Sequence, residues 1–294
     1  MARSTVKIAL LGVVFAILWS SASTATKIGL GYAQPFTIAV TRFLFAGTMM
    51  LFITHVLMRN RVPGGREWKQ ITIYGILNVS IYLGLFVISI QHVSAGIGSL
   101  FIATNPVFIS IISSIWFKKR LKAITFLSLG ICCAGILVAA FPLLQTSHVT
   151  PLGLILLLIS MLSYSLSALY YSRQSWNGLH ILTINGWQTL IGGLFLIPLL
   201  IGYYDNDKNV FDIHFAGVVL WLAIPVSIGA MQLWMFLLRD NPVKASFWLF
   251  LCPIFGFIIA AIFMKEPITV FTFAGVALVL SGLYLVQRQK TENA

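Results

Sequence analysis

Ten apolar stretches, each about as long as a lipid bilayer is thick, recur along this 294-residue chain. A transmembrane helix needs about 20 apolar residues, and the connections between these stretches are short. Only 9% of the residues are charged and 59% are hydrophobic, whereas soluble proteins carry about 25% charged residues. The sequence therefore predicts an all-α membrane protein with ten transmembrane helices. The predicted spans are 8–26, 35–58, 68–90, 95–117, 123–141, 152–171, 180–201, 215–238, 242–264 and 268–287.

The distribution of basic residues predicts the orientation of these spans. If both termini face the cytoplasm, the cytoplasmic segments contain 15 of the 19 lysines and arginines, including the turn "KKRLK" at 118–122. Cytoplasmic loops of membrane proteins carry this excess of Lys and Arg. We therefore predict an N-in, C-in topology, and we attribute the positive net charge to lipid headgroups rather than to nucleic acid.

The two halves of the chain are weakly similar to each other. When the sequence is shifted by 147 residues, spans three to five align with spans eight to ten without a gap, and 10 of 43 positions between 98–140 and 245–287 are identical. Each half contains five spans, an odd number, so the second half must enter the membrane upside down. We predict one five-helix repeat over 1–145 and an inverted one over 146–294. Inverted repeats of this kind are typical of secondary transporters.

Three prolines lie near the middle of predicted spans, where a proline removes a backbone hydrogen bond. Pro106 and Pro253 occupy equivalent positions in the fourth and ninth spans, and Pro225 in the eighth span is equivalent to Asn78 in the third. Unpaired backbone groups at membrane depth must be received by protein or by a water-filled cavity. We interpret the three prolines as hinges around a central site, although each could also kink its helix for packing alone.

Several short motifs together resemble the drug/metabolite transporter superfamily, in its ten-helix EamA branch. They are "LWSSAS" at 18–23, "TRFLFAG" at 41–47, "TNPVF" at 104–108, "LCPIF" at 251–255 and "KEPIT" at 265–269. The resemblance covers the whole chain and implies transport of small metabolites, often amino acids. One position departs from the family, which often has an acidic residue after both the fourth and ninth helices. Here Glu266 follows the ninth helix, but Lys119 stands at the equivalent position after the fourth.

Polar and aromatic side chains within the spans are the candidates for substrate binding. Arg42 is the only charged residue well inside a predicted span, and intramembrane charges usually mark functional sites. Structural roles remain open, because an arginine can extend to the interface and amides can join helices by hydrogen bonds. The first two spans align more weakly with the sixth and seventh, at offsets of 145 to 146, which places Gln188 opposite Arg42, and we interpret Gln188 as a packing residue. The candidate substrate-binding residues are Trp19, Arg42, Asn78, Tyr82, Asn105, Tyr164, Gln232 and Trp248.

Other functions and partners receive less support from the sequence. The seven acidic residues lie in loops or at helix ends, so we expect no catalytic residues, and the cysteines and histidines lack metal-ligand spacing. We therefore predict no enzyme activity, no metal and no cofactor.

The expected partners are a small-molecule substrate and membrane lipid. The expected location is the cell membrane, specifically a bacterial inner membrane. The small residues at 128–135 and 275–282 predict helix packing or a homodimer through helices five and ten.

The sequence favours movement of amino acids or related amphipathic metabolites by alternating access. An aromatic and amide lining with one arginine suits a small zwitterion, whose ammonium can rest on a ring face. Because no carboxylate lies in the membrane core, we expect facilitated movement, most usefully export. The alternatives are a proton-coupled drug or metabolite exporter, a flippase for lipid-linked sugar, and a carrier of phosphorylated solutes.

Overall fold

The computed structural model describes residues 2–116, 123–144, 149–240, 245 and 248–291, and all regular structure in these residues is helical. Seven of the helical segments are long and apolar enough to cross a membrane, and three shorter apolar helices cover 126–142, 248–264 and 270–282. Each of these ten segments overlaps one of the ten predicted spans, and a count of ten membrane crossings stays a prediction. The long ones are Ile8–Gly29, Pro35–Leu57, Arg66–Gln91, Ala95–Trp116, Pro151–Arg173, Ile181–Tyr203 and Ile213–Leu238. The turn "KKRLK" lies outside the described residues.

The first half contains both continuous and interrupted helices. The first span is one helix, whereas the second, third and fourth each change geometry along their length. The elements are α1 Ala2–Gly29, α2 Pro35–Leu51 with a π-helical continuation Phe52–Leu57, α3 Arg66–Gly75, a π-helical segment Ile76–Leu83, α4 Gly84–Gln91, α5 Ala95–Ile102, α6 Asn105–Trp116 and α7 Ala123–Leu144.

The second half has the same kinds of interruption. A single long helix again comes first, and interrupted spans follow it. The elements are α8 Pro151–Arg173, α9 Ile181–Leu194, α10 Ile197–Tyr203, a 3-10 turn Asn206–Lys208, α11 Ile213–Trp221, a π-helical segment Leu222–Ala230, α12 Met231–Asp240, a 3-10 turn Trp248–Phe250, α13 Leu251–Met264 and α14 Val270–Thr291.

The interruptions occur at equivalent positions in the two halves. Under the shift of 147 residues, the π-helical segment Ile76–Leu83 corresponds to 223–230, and the second half has its own π-helical segment at Leu222–Ala230. The break between α5 and α6 likewise corresponds to the junction at 250–251 where α13 begins. Pro106, Pro225 and Pro253 all lie in or next to these interruptions. The predicted hinge positions therefore coincide with the points where the spans depart from α-helical geometry.

Helices α7 and α14 pack against each other through small residues. A methyl group added to Gly135 would lie 2.7 Å from the carbonyl oxygen of Gly275, and one added to Gly275 would lie 2.5 Å from that of Gly135. Cys132 also donates to the carbonyl of Val279. The two small-residue stripes are thus used within the chain, as the scaffold interpretation predicts. A homodimer through helices five and ten is not supported, because these stripes already cover each other.

Two charged side chains join helix ends on the predicted outer side. The Glu266 carboxylate follows α13 and accepts hydrogen bonds from the backbone amides of Ala95 (2.7 Å) and Gly96 (3.0 Å) at the start of α5. Lys27, near the end of α1, donates to the carbonyl of Ile90 in the last turn of α4 (2.7 Å) and to that of Val93 just after it (2.8 Å). Carboxylates stabilise helix N-termini and cations stabilise C-termini. The first and second halves are therefore linked at this side by Glu266.

Cysteine labelling can test the predicted topology. In a cysteine-free background, Lys208→Cys is expected to react with a membrane-impermeant maleimide applied to intact cells, because the loop after α10 is predicted to be external. Gly64→Cys, in the predicted cytoplasmic loop before α3, is expected to react only after the membrane is permeabilised. Labelling of position 64 in intact cells would contradict the N-in orientation.

Candidate functional site

Arg42 on α2 is buried without a negatively charged partner. Its side chain is 2% exposed, and its Nε donates to the Ser227 hydroxyl at 2.8 Å. The guanidinium carbon lies 5.1 Å from the ring centre of Phe43. Among the described residues, the two terminal nitrogens of Arg42 have no hydrogen-bond acceptor and no carboxylate lies within ion-pair distance. A buried charge without a partner is costly, so this group is poised to receive an anion.

A chain of amide side chains extends from Ser227 across the middle of the molecule. The Asn185 amide donates to the carbonyl of Ser227 at 3.0 Å, and Gln188 Nε2 donates to Asn185 Oδ1 at 2.9 Å. Asn78 then donates to Gln188 Oε1 at 3.2 Å, and Ser167 donates to Asn78 Oδ1 at 3.2 Å. All of these side chains are buried. The network joins the sixth, seventh, third and eighth spans and ends at Arg42 on the second.

Aromatic side chains pack beside this polar network. The Tyr164 ring centre lies 4.7 Å from that of Tyr82, 6.0 Å from Trp234 and 6.2 Å from Trp19. Phe15 stacks on Trp234 at 5.2 Å. The Tyr164 hydroxyl is buried and has no hydrogen-bond partner among the described residues. We call these five residues the aromatic cluster.

A small cavity lies where the polar network meets the aromatic cluster. Its lining includes Trp19, Arg42, Asn78, Gln188 and Ser227, and its volume is about 10 Å³. That is room for about one water molecule, whereas sites for drug-sized ligands measure roughly 300 Å³ or more. The space between these residues is therefore far too small to hold a drug-sized molecule in this conformation.

Five of the eight predicted binding residues come together here. Trp19, Arg42, Asn78, Tyr82 and Tyr164 all belong to the polar network or to the aromatic cluster. Their assignment to substrate binding stays a prediction, since the geometry shows their proximity and not their ligand. Sequence reasoning missed Ser167, Asn185 and Ser227 and assigned Gln188 to packing. These four residues are polar and lie within predicted spans, and this was the sequence feature that could have identified them.

The other three predicted binding residues lie in different surroundings. Asn105 donates to the carbonyl of Ile102 at 2.7 Å, which is the carbonyl that Pro106 frees, and Ser165 donates to Asn105 Oδ1 at 3.2 Å. The freed carbonyl is therefore satisfied locally in this conformation rather than facing a cavity.

Trp248 is half-buried, and its indole packs directly on α1, where a methyl group added to Gly12 would lie 2.0 Å from the ring. Gln232 on α12 is also half-buried. Its Nε2 has no partner in the part of the chain that the structure describes. Binding roles for Asn105, Gln232 and Trp248 remain predictions.

Apolar side chains cover much of the outer surface. Ile213, Phe273 and Ile262 are 79%, 68% and 66% exposed. Large exposed apolar surfaces mark contact with membrane or with other proteins. Together with the apolar helices, this surface identifies lipid as the surroundings of the protein.

The sequence matches the EamA-like transporter family over residues 6–141 and again over 151–288. An "Uncharacterized transporter" of Archaeoglobus fulgidus is 26% identical over 92% of this chain and 95% of its own length. "Protein PecM" of Dickeya dadantii is 25% identical over 92% and 89%, respectively. A chloroplastic "WAT1-related protein" of Arabidopsis thaliana is 25% identical over 91% of this chain and 66% of its own length.

A solved structure has the same fold at a TM-score of 0.66, with 16% identity over 95% of this chain and 96% of that one. The family match and the relative named as a transporter identify the protein as a transporter rather than an enzyme. Together with the apolar helices, they identify a multi-pass protein of the cell membrane.

Proposed function

Because the chain belongs to the EamA-like transporter family, we propose that it moves amino acids or closely related amphipathic metabolites across the membrane by alternating access. The observation that carries this proposal is the buried guanidinium of Arg42, which has no carboxylate partner among the described residues. Within that part of the chain its two terminal nitrogens make no hydrogen bond, and such a cation suits a carboxylate, which an arginine binds through two parallel hydrogen bonds. The carboxylate of the substrate would supply the negative charge that the described residues around Arg42 do not.

The arrangement of helix interruptions supports alternating access. Ser227, which binds Arg42, lies in the π-helical segment that contains Pro225, and Asn78, which binds Gln188, lies in the equivalent segment of the first half. π-Helical segments often occur at functional sites. We propose that the two halves are inverted repeats, and that movement at these segments opens the central cavity to each side in turn.

The site favours a carboxylate over the ligands of the alternative functions. A phosphorylated solute carries about two negative charges, yet Arg42 is the only cation among the described residues that line the central cavity. A permanently cationic drug would be repelled by Arg42 and would meet no carboxylate among these lining residues. A small zwitterion fits both the guanidinium and the neighbouring rings.

Uptake by proteoliposomes tests the proposed function. The purified protein is expected to move at least one of the standard amino acids down its gradient, with a rate that does not depend on an imposed pH gradient. Protein-free liposomes give the background rate. Accumulation of the amino acid against its own gradient when protons flow would contradict facilitated movement and favour the proton-coupled exporter. Failure to transport any amino acid would contradict the proposed substrate class.

A further inference from the structure

The Tyr164 hydroxyl is a buried polar group that does not belong to the polar network. The side chain is 1% exposed, and the hydroxyl has no partner among the described residues. Burying a hydroxyl without a hydrogen bond is energetically unfavourable. The neighbouring Ser167, one turn further along α8, has two acceptors, in Asn78 and in the carbonyl of Tyr164. The unpaired hydroxyl therefore stands out within a helix face that is otherwise satisfied.

The rings around this hydroxyl form surroundings that attract a cation. Tyr82, Trp19 and Trp234 lie with their ring centres between 4.7 and 6.2 Å from that of Tyr164. The face of an aromatic ring carries negative charge density, and several rings together bind ammonium groups. A phenol oxygen can also accept a hydrogen bond from an ammonium.

The aromatic cluster is connected to the anion-receiving end of the site. Trp19 lines the central cavity together with Arg42, and its ring is 6.2 Å from that of Tyr164. The ring of Tyr82 in turn lies 4.7 Å from that of Tyr164. A ligand between these groups would therefore face a guanidinium at one end and the ring faces and Tyr164 hydroxyl at the other.

We infer that Tyr164, Trp19 and Tyr82 form an ammonium subsite, in which the Tyr164 hydroxyl accepts a hydrogen bond from the substrate amine. This inference rests on the proposed function and makes it more specific. The substrate must carry a primary amine as well as a carboxylate, and simple monocarboxylates are poor substrates. Because the amine is held by one hydrogen bond and by ring faces, a side chain of varied shape can extend into the rest of the opened cavity.

Competition between matched analogues tests the subsite in the unaltered protein. The amino acid with the fastest uptake serves as the labelled substrate, and its des-amino analogue, which keeps the carboxylate and side chain, serves as a competitor. The unlabelled amino acid is expected to inhibit at a concentration at least about 10-fold lower than its des-amino analogue, because a hydrogen bond to a charged group is lost. Equal inhibition by the two would overturn the subsite while leaving the proposed function in place.

Tyr164→Phe then locates the effect at the hydroxyl. This variant is expected to weaken inhibition by the amino acid about 10-fold and to leave inhibition by the des-amino analogue unchanged. Tyr74→Phe is the matched control, since Tyr74 is equally buried but its ring packs against Tyr171 and Trp176 rather than against Trp19 and Tyr82. An equal loss for both competitors in Tyr164→Phe would assign the hydroxyl to packing. If no amino acid is transported at all, the proposed function fails, which the analogue comparison distinguishes from failure of the subsite alone.

Discussion

Replacing Arg42 by glutamine is expected to reduce amino-acid transport by roughly 100-fold or more. The change keeps a side chain of similar length but removes the only cation among the described residues of the cavity lining, and truncating one partner of a buried charge pair costs about 2–5 kcal/mol. Initial uptake rates in proteoliposomes, measured at several substrate concentrations, show whether the loss lies in apparent affinity. Arg42→Lys should retain part of the activity, because it keeps the charge but loses the two-pronged geometry.

The control for this prediction is an arginine outside the site. Arg61 forms an ion pair with Glu67 at 2.7 Å and its side chain is 48% exposed, so Arg61→Gln should transport nearly as fast as the unaltered protein. Ser227→Ala is expected to cause an intermediate loss of transport. It removes the acceptor of Arg42 Nε and should weaken transport by about 10-fold without removing the charge. Normal transport by Arg42→Gln would assign Arg42 to helix packing.

Replacing Glu266 by glutamine is expected to shift the protein toward conformations that are open on the predicted outer side. The substitution removes the negative charge and leaves only one acceptor for the two amides of Ala95 and Gly96. Hydrogen bonds to charged groups contribute about 1.5–3 kcal/mol, so the ratio of open to closed molecules should rise at least about 10-fold. The break between α5 and α6 provides a point about which the released α5 can move.

A cysteine at position 23 can report this shift. Ser23 is fully buried on α1 and faces Gly98 of α5, where an added methyl group would lie 3.4 Å from its hydroxyl. In a cysteine-free Ser23→Cys protein, Glu266→Gln should therefore increase the rate of labelling by an impermeant thiol reagent about 10-fold. Glu67→Gln is the matched control, because Glu67 also accepts a backbone amide, that of Gly64 at 2.8 Å, but lies at the other end of the molecule. An unchanged labelling rate would show that Glu266 does not hold the outer side closed.

Features that depend on single spans could be predicted from the sequence. The apolar stretches correspond to the observed helices, because length and composition alone determine whether a segment can lie in a bilayer. The positions of Pro106, Pro225 and Pro253 also predicted where helices are interrupted, because a missing backbone donor acts locally. The weak repeat aligned Pro225 with Asn78, and the structure has a π-helical segment at both positions.

Features that depend on helix rotation could not be predicted. Ser167, Asn185 and Ser227 are small polar residues of a kind common in membrane helices, and only the packing of several spans shows that they form one network with Arg42. Asn105 illustrates the opposite case. Its sequence position suggested a cavity-lining role, but a side chain beside a proline can also satisfy the carbonyl that the proline frees, as its bond to Ile102 shows.

The contact between Gly135 and Gly275 has a practical consequence. The two backbones are in direct contact at these glycines, so α7 and α14 cannot rotate relative to each other without a steric clash. The pair should therefore move as one rigid body during transport. A fluorophore on the exposed face of α14, for example at Phe273, would therefore provide a stationary reference. Distances from that reference to labels on α5 or α12 would then measure the motion of the transporting helices directly.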